Sequence, residues 1–510
     1  DASRAAPKNY GNPRPRRRRA RGPSLLPLRR DGLPPTPRSE YKGSGKGKGV
    51  QGEGGTLFLK EGSPFPLAAG GIGNQHKGEV VHYDPAETLT RSEIEKLQIE
   101  KLRTTIERAS RSPFYGALYK EHGVTPDCIK TLDDVRRLPF TTKQDLRNAY
   151  PDGLICVPKE QLVRMHVSSG TTGTPTVIYH TKNDIDWWAS LMARCMHMAG
   201  IRPTDVFQNM SGYGLFTGGL GIHFGSERLG CLTIPAGAGN TQRQLKLIRD
   251  FNVTAVHIIP SYALHISSVM EKMGEDPRSL PIRFALVGAE PYTEEARRRL
   301  EDIFDMKVFN SYGLSEMNGP GVAFECPEQH GMHLWEDAYI AEIIDPATGE
   351  PLPDGEVGEL VMTTLGREGM PIIRYRTRDL TRFLPGDCPC GRVHRRMDRI
   401  TGRADDMMIV KGCNIYPMQI ESVLMAMPEV SQNYLIILER DGYMDNIRVK
   451  VEIKDEFFVE DMRALNALQK KIASRLRDEI LVTPKVDLVE HNSLPKSEGK
   501  AQRVQDLRQS

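Results

Sequence analysis

No apolar run in the sequence approaches the roughly 20 residues that a bilayer-spanning helix needs, and with 39% hydrophobic residues the chain is too polar for a membrane protein. Cysteine is scarce as well. The eight thiols are mostly scattered singly (Cys128, Cys156, Cys195, Cys231, Cys326, Cys413), with only Cys388 and Cys390 close together. That usage argues against a disulfide framework and for a reducing, cytoplasmic setting. A Walker lysine is also missing. The stretch VSSGTTGTPT at Val167–Thr176 has the small and hydroxyl-bearing residues that wrap a phosphate, yet Gly173 is followed by Thr174, Pro175 and Thr176 where a Walker loop carries Lys-Ser/Thr. A triphosphate held there needs its cation from another part of the chain.

Net charge is low, +3, but unevenly spread. Residues 1–80 hold 16 Lys and Arg against 6 Asp and Glu, which leaves residues 81–510 with 53 basic and 60 acidic side chains. The body is therefore acidic, and a nucleic-acid-binding reading rests on the tail alone, chiefly on Arg16–Arg19. Residues 1–82 are rich in Pro and Gly and lack apolar periodicity, so they are expected to be a disordered basic tail. The GSGKGKG segment at Gly43–Gly49 is no phosphate loop, since it lacks a strand, a helix and a Ser/Thr partner.

At 510 residues the chain is long enough for two or three cores. Ordered structure is expected to begin near Leu89, where Ile94, Leu97, Ile99, Leu102 and Ile106 approximate helical spacing. The Val167–Thr176 loop sits between two strand patterns, LVRMHV and VIYH, a context that suits neither a Walker nor a dinucleotide-binding loop. A helix follows Asn183–Asp184 and ends near Gly200. VTAVHII ends at Pro260, and RFALV ends at Gly288-Ala-Glu-Pro291; each strand pattern stops at a turn followed by a helical pattern. Such units predict an α/β sheet whose loops at the strands' carboxyl ends form the site. From Ile343 Asp-Gly turns mark a hairpin-rich portion. A smaller α+β segment follows, with a strand at MMIV, a helix from Pro417 to Met427, and strands at YLIIL and IRVKVEI. The expected organisation is a tail (1–82), a large α/β domain with a β-rich portion (83–404) and a small mobile α+β domain (405–510).

Four further polar motifs follow the first loop: NSYGLSE (Asn310–Glu316), RYRTRD (Arg374–Asp379), GRADDMMIVKG (Gly402–Gly412) and LPKSEGKAQR (Leu494–Arg503). In this order the five resemble the core motifs of the adenylate-forming superfamily, which includes acyl-CoA ligases, luciferases and nonribosomal peptide adenylation domains. The likeness spans nearly everything from residue 83 onward. The wording of SGYGLFTGGLG (Ser211–Gly221), VGAEPYT (Val287–Thr293), NSYGLSEM, RYRTRDLT, VKGCNIYPMQIE (Val410–Glu421) and the early PFTTKQDLR is similar to the phenylacetate-CoA ligase branch.

The resemblance implies roles that the residues alone leave open. Ser168, Gly170, Thr171, Thr172 and Gly173 would hold the β- and γ-phosphates of ATP; alone they read as a flexible hairpin loop. The backbone of Gly288, Ala289, Glu290 and Pro291 would lie against adenine, and Asn310 and Tyr312 would belong to the same nucleotide site, with the tyrosine ring on or beside the base. Glu316, otherwise a solvated glutamate, would ligate magnesium. Asp379 stands amid arginines, where a structural ion pair competes with the implied role of accepting hydrogen bonds from ribose, with Arg403 nearby. Asp405 would be the hinge about which the small domain turns between two half-reactions. Tyr213, Gly214, Phe216 and Gly218 would line the pocket for a flat acid. Lys500 would supply the missing cation, with Lys143 as the alternative.

One feature is not general to the superfamily. Cys326, His333, Cys388 and Cys390 come from two segments and offer a Cys₃His structural zinc site, with His330 competing for the fourth position and buried unbridged thiols as the plain alternative.

The implied activity joins an aryl acetic acid, phenylacetate first, to coenzyme A at the expense of ATP, through an acyl-adenylate. The alternatives are another carboxylate such as indoleacetate or a hydroxybenzoate, a non-thiol acceptor, or a nucleic-acid binder led by the tail. The implied partners are the acid, ATP, magnesium and coenzyme A, with no membrane, and a homodimer is left open.

Overall fold

The computed structural model describes residues 82–167, 175–290, 292–411, 413–441, 444–458, 461–494 and 503–508. The basic tail up to residue 81, the loop residues Ser168, Gly170, Thr171, Thr172 and Gly173, as well as Pro291 and Lys500, lie outside the described residues. No helix among the described residues is long and apolar enough to cross a membrane.

The first helix, Arg91–Ala109, opens on a capping box in which Glu93 N donates to Thr90 Oγ1 and Thr90 N donates to the Glu93 carboxylate. It buries Ile94, Gln98, Leu102, Thr105, Ile106 and Ala109, whereas the expected Leu97 and Ile99 are only half-buried. The i, i+4 row from Ile94 runs through Gln98, whose amide can enter the core because it donates to Tyr339 O at 3.1 Å.

A nine-stranded mixed sheet frames the large domain. Its spatial order is Phe383–Leu384, Arg396–Met397, Met332–Leu334, Gly319–Glu325, Lys307–Leu314, Phe284–Gly288, Ala255–Ile258, Val206–Asn209 and Leu232–Ile234. The last five run parallel, as the expected strand, loop, helix units require, and the first four pair antiparallel. Alternate side chains of the parallel strands enter two cores. Ala255, Leu286 and Phe309 join one with Trp188 and Met192, while Val256, Ala285, Val287 and Val308 join another with Ile248 and Leu300. The loops after Asn209, Ile258, Gly288 and Leu314 consequently leave from one edge of the sheet.

Two smaller sheets complete this domain. Strands Leu162–Val167 and Val177–Thr181 pair antiparallel with Val167 opposite Val177, so the glycine-rich stretch joins the two strands of a hairpin. Thr181 then caps the helix Lys182–Met198 through Asp184 N. Tyr339–Ile344, Gly358–Thr364, Tyr375–Thr381 and Gly402–Arg403 form a four-stranded antiparallel sheet, the hairpin-rich portion.

The small domain has its own core, built from Ile420, Leu424, Ile436, Val449, Ile472 and Leu476. A hairpin of Met408–Val410 and Cys413–Ile415 precedes a four-stranded sheet of Lys485–Val489, Met444–Ile453, Val430–Asp441 and Val504–Asp506. The helix expected to reach Met427 is Pro417–Met425, with Ala426 as its C-cap; a second, Met462–Ile480, lies outside the pattern reading.

Candidate active site

The strand ends converge the motifs. Strands Phe284–Gly288 and Lys307–Leu314 pair with Gly288 beside Ser311, where a Cβ would stand 2.3 Å from the Ser311 carbonyl oxygen, so only glycine lets the two backbones close at this point. Ala289 turns the chain at φ 68°, and Glu290 Oε1 accepts from Ser261 Oγ at 3.0 Å, on the loop that leaves the neighbouring strand. Asn310 N donates to Glu325 Oε2 at 2.7 Å, fixing the start of the NSYGLSE segment against the next strand.

Asp379 is the focus of a polar chain. Tyr312 Oη donates to its Oδ2 at 2.7 Å and Arg403 Nη1 to its Oδ1 at 2.8 Å. Arg403 stands directly opposite Asp379 in the sheet, which brings the two motifs together across 24 residues of sequence. Burial pushes the Asp379 carboxyl above the usual range, and the Arg403 charge and the Tyr312 bond oppose this. The arginines of its own motif are engaged elsewhere: Arg374 on Glu342, and Arg376 and Arg378 on Glu359.

Glu316 follows the strand Lys307–Leu314 and is buried. Tyr375 Oη donates to its Oε1 at 3.0 Å, while Oε2 makes no hydrogen bond to another described residue. A hard, anionic oxygen held by one neutral donor suits magnesium. Tyr375 belongs to the RYRTRD motif, whose sequence alone does not mark it as a partner of Glu316.

The segment after Asn209 carries Tyr213, Gly214, Phe216 and Gly218. Tyr213 and Phe216 are exposed with Leu215 between them, Gly214 takes φ 135°, and Tyr213 Oη accepts from Asn209 Nδ2 at 3.1 Å and lies 3.3 Å from His223 Nδ1. The loop is tied to the glycine-rich hairpin by Val167 N donating to Leu215 O at 2.9 Å, and to the Glu316 turn by Thr217 Oγ1, 3.3 Å from Ser315 Oγ. Beneath it His257, missed from the sequence, meets Ser211 Oγ at 2.6 Å, and burial pushes its imidazole down to about 4.

Asp405 is exposed and paired with Arg403. The closing motif is anchored at both ends to the small domain: Leu494 N donates to Glu452 Oε1 at 2.8 Å, and Ile436 N donates to Arg503 O at 2.8 Å. Lys500 lies between these anchors in sequence.

Away from this edge, Cys326, His333, Cys388 and Cys390 meet. Their four ligand atoms all lie within 4.8 Å of one another and all four residues are buried. Cys326 Sγ is 3.6 Å from Cys388 Sγ, and Cys390 Sγ is 3.3 Å from His333 Nε2. Zinc–ligand bonds of about 2.0–2.3 Å in a tetrahedron give edges of about 3.5–3.8 Å, so the cluster fits that ion. His333 Nδ1 lies 3.1 Å from the His394 carbonyl, a bond that turns Nε2 toward the thiols. The hydrogen bond from Cys326 pulls the Cys390 thiol well down against the cost of burial, and although burial disfavours its charge, Cys388 and Cys390 push His333 up to about 9. His330 is not in the cluster; its Nδ1 stands 3.2 Å from Arg396 Nη1.

A model of the family described as AMP-binding enzyme matches residues 95–366, and one described as AMP-binding enzyme C-terminal domain matches residues 412–508. Over 442 residues the chain is 46% identical to a phenylacetate-coenzyme A ligase of Thermus thermophilus, covering 84% of this chain and 99% of that one. The Escherichia coli protein of the same name is 44% identical over 428 residues, 83% and 97% of the two chains. Among solved structures, a 2-hydroxyisobutyryl-CoA ligase in its postadenylation state superposes with a TM-score of 0.79 at 30% identity, over 83% of this chain and 92% of that one. The same ligase in its thioesterification state gives 0.62 at 31% identity and the same coverage, so the arrangement described here is nearer the first.

Proposed function

Because the chain belongs to the phenylacetate-coenzyme A ligase family of AMP-binding enzymes, we propose that it converts phenylacetate, ATP and coenzyme A to phenylacetyl-CoA, AMP and pyrophosphate. The observation that carries this is the meeting of Tyr312, Asp379 and Arg403 beside the Glu316 turn, at the carboxyl ends of parallel strands. In this reading Asp379 accepts from the ribose hydroxyls, the Gly288-Ala289-Glu290-Pro291 backbone borders adenine, Asn310 and Tyr312 shape the base pocket, and the 168–173 loop wraps the β- and γ-phosphates. Tyr213, Gly214, Phe216 and Gly218 take the aryl ring. Their mix of an exposed aromatic, a positive-φ glycine and an anchored loop supports that role.

The acid's carboxylate oxygen attacks the α-phosphorus and pyrophosphate leaves; the sulfur of coenzyme A then attacks the acyl carbon, AMP leaves with the electron pair, and the thiol proton passes to solvent. Glu316 would hold magnesium, which neutralises phosphate charge when bound. Lys500 brings a further cation with the small domain. Asp405 is the hinge between a large domain of residues 83–404 and a small one of 405–510. A zinc ion at Cys326, His333, Cys388 and Cys390 is structural, since four protein ligands leave no open position. The eight cysteines are unbridged, which supports a reducing, cytoplasmic setting.

The test is exchange of labelled pyrophosphate into ATP with a panel of phenylacetate, indoleacetate and hydroxybenzoates. Exchange is expected with phenylacetate foremost; exchange without any acid, or with none of the panel, overturns the reading.

A further inference from the structure

Arg367 lies between the strands Gly358–Thr364 and Tyr375–Thr381, and none of its surface reaches solvent. A guanidinium keeps its charge in proteins, so burying one is costly unless something uses it. Its partners are main-chain carbonyls: Nη1 donates to Glu316 O at 2.6 Å and Nη2 to Tyr179 O at 3.4 Å, while Nε meets no acceptor among the described residues. The buried carboxylate whose field it feels, Asp184, is committed to the N–H groups of Thr181, Glu368 and Gly369.

Those two carbonyls are informative. Glu316 O belongs to the turn that carries the magnesium ligand of the proposed reading, and Tyr179 O to the hairpin that flanks the glycine-rich loop. One cation therefore joins the turn that carries Glu316 to the hairpin strand Val177–Thr181. The carboxylates of Asp184 and Glu368 lie at one end of the hairpin, both bonded to Thr181. Arg164 stands across from His180 in the hairpin, and Arg164 Nη1, His166 Nε2 and both His180 nitrogens are buried without a partner among the described residues. Burial, and after it the neighbouring arginines, push both imidazoles below the usual histidine range.

We propose that Arg367 is a positioning residue of the triphosphate site, a fixed buried counter-charge that holds the Glu316 turn to the glycine-rich hairpin and favours ATP over AMP. In the proposed reading it complements Lys500, which would arrive and leave with the small domain, whereas Arg367 belongs to the large one. Coulomb attraction scales with ligand charge, so a fixed cation bonded to the Glu316 turn would act on ATP and pyrophosphate more than on AMP in the proposed reading. The inference rests on the nucleotide site proposed above.

The experiment is calorimetric titration of full-length protein with MgATP and, separately, with AMP. Wild type binding neither nucleotide contradicts the nucleotide site itself. With wild-type binding in place, Arg367→Met is expected to weaken MgATP on the order of tenfold while AMP changes by less than about twofold, and Arg367→Lys to recover most of the loss. Equal weakening of both nucleotides, or of neither, overturns the proposal. Should the methionine variant fail to fold, Arg367→Gln replaces it: a neutral side chain that can still donate to one carbonyl, so a loss confined to MgATP supports the proposal, and an equal loss for AMP or no loss at all overturns it.

Discussion

Arg403 and Asp405 meet through two parallel hydrogen bonds of 2.9 Å, Nε to Oδ1 and Nη2 to Oδ2, while Nη1 of the same guanidinium holds Asp379 at 2.8 Å. The proposed hinge is thus fastened directly to the proposed ribose carboxylate. Turning the small domain has to part this pair or reorient it. Fixing φ with Asp405→Pro is expected to leave adenylate formation within a few-fold of wild type and to slow thioester formation from supplied phenylacetyl-AMP by about a hundredfold. Rapid-quench assays of the two half-reactions check this, and equal loss of both contradicts the hinge.

The Cys326, His333, Cys388 and Cys390 cluster predicts about one zinc per chain by elemental analysis. Cobalt substituted for it should give the visible bands of a tetrahedral thiolate site. Cys388→Ser is expected to lose the metal and to lower Tm by several degrees, because a bound ion would tie the turn carrying Cys388 and Cys390 to the strands near Cys326 and His333. Metal-free protein with an unchanged Tm contradicts the site.

Stability should rise with pH between about 4 and 6.5. Burial pushes His257 and His197 down to about 4 and His394 to about 3, whereas an unfolded histidine takes a proton near 6.5. Through that window the unfolded chain binds more protons, so folding is penalised as pH falls and the penalty is gone above the window. Urea unfolding from pH 5 to 7.5 measures the slope, and His257→Asn should make it shallower.

Lys500→Ala is expected to slow adenylation by on the order of a hundredfold, the range for losing a donor to developing charge, while thioester formation from supplied adenylate persists. Half-reaction rates decide the matter. If both survive, the cation is elsewhere and Lys143, exposed at the start of its helix, is next.

Much of the frame is legible in the sequence because its signals are local. Strand patterns ending at Pro260 and Gly288, the Thr181 cap with Asp184, and the Asp-Gly turn at Asp354 and Gly355 each state their geometry within a few residues. The meeting of Cys326, His333, Cys388 and Cys390 is legible for a different reason: thiols and imidazoles are rare enough that few combinations exist. Partnerships set by folding are not. Tyr375 meets Glu316 across 59 residues, and nothing in RYRTRD distinguishes its hydroxyl from that of an ordinary core tyrosine. Arg367, within LGREGM, looks like a surface polar residue until its zero exposure is seen. Gln98 in place of Leu97 on the buried face of the first helix follows from one carbonyl on a strand more than two hundred residues away.

The most direct test of the central claim is isotopic. Phenylacetate labelled with ¹⁸O in both carboxylate oxygens should, in a complete reaction with ATP and coenzyme A, deliver one ¹⁸O to AMP and retain one in the thioester carbonyl, because the carboxylate oxygen that attacks the α-phosphorus leaves with it. Mass spectrometry of AMP reads this in a single run. Unlabelled AMP, or label appearing in inorganic phosphate or pyrophosphate, would contradict an acyl-adenylate and with it the account of this site.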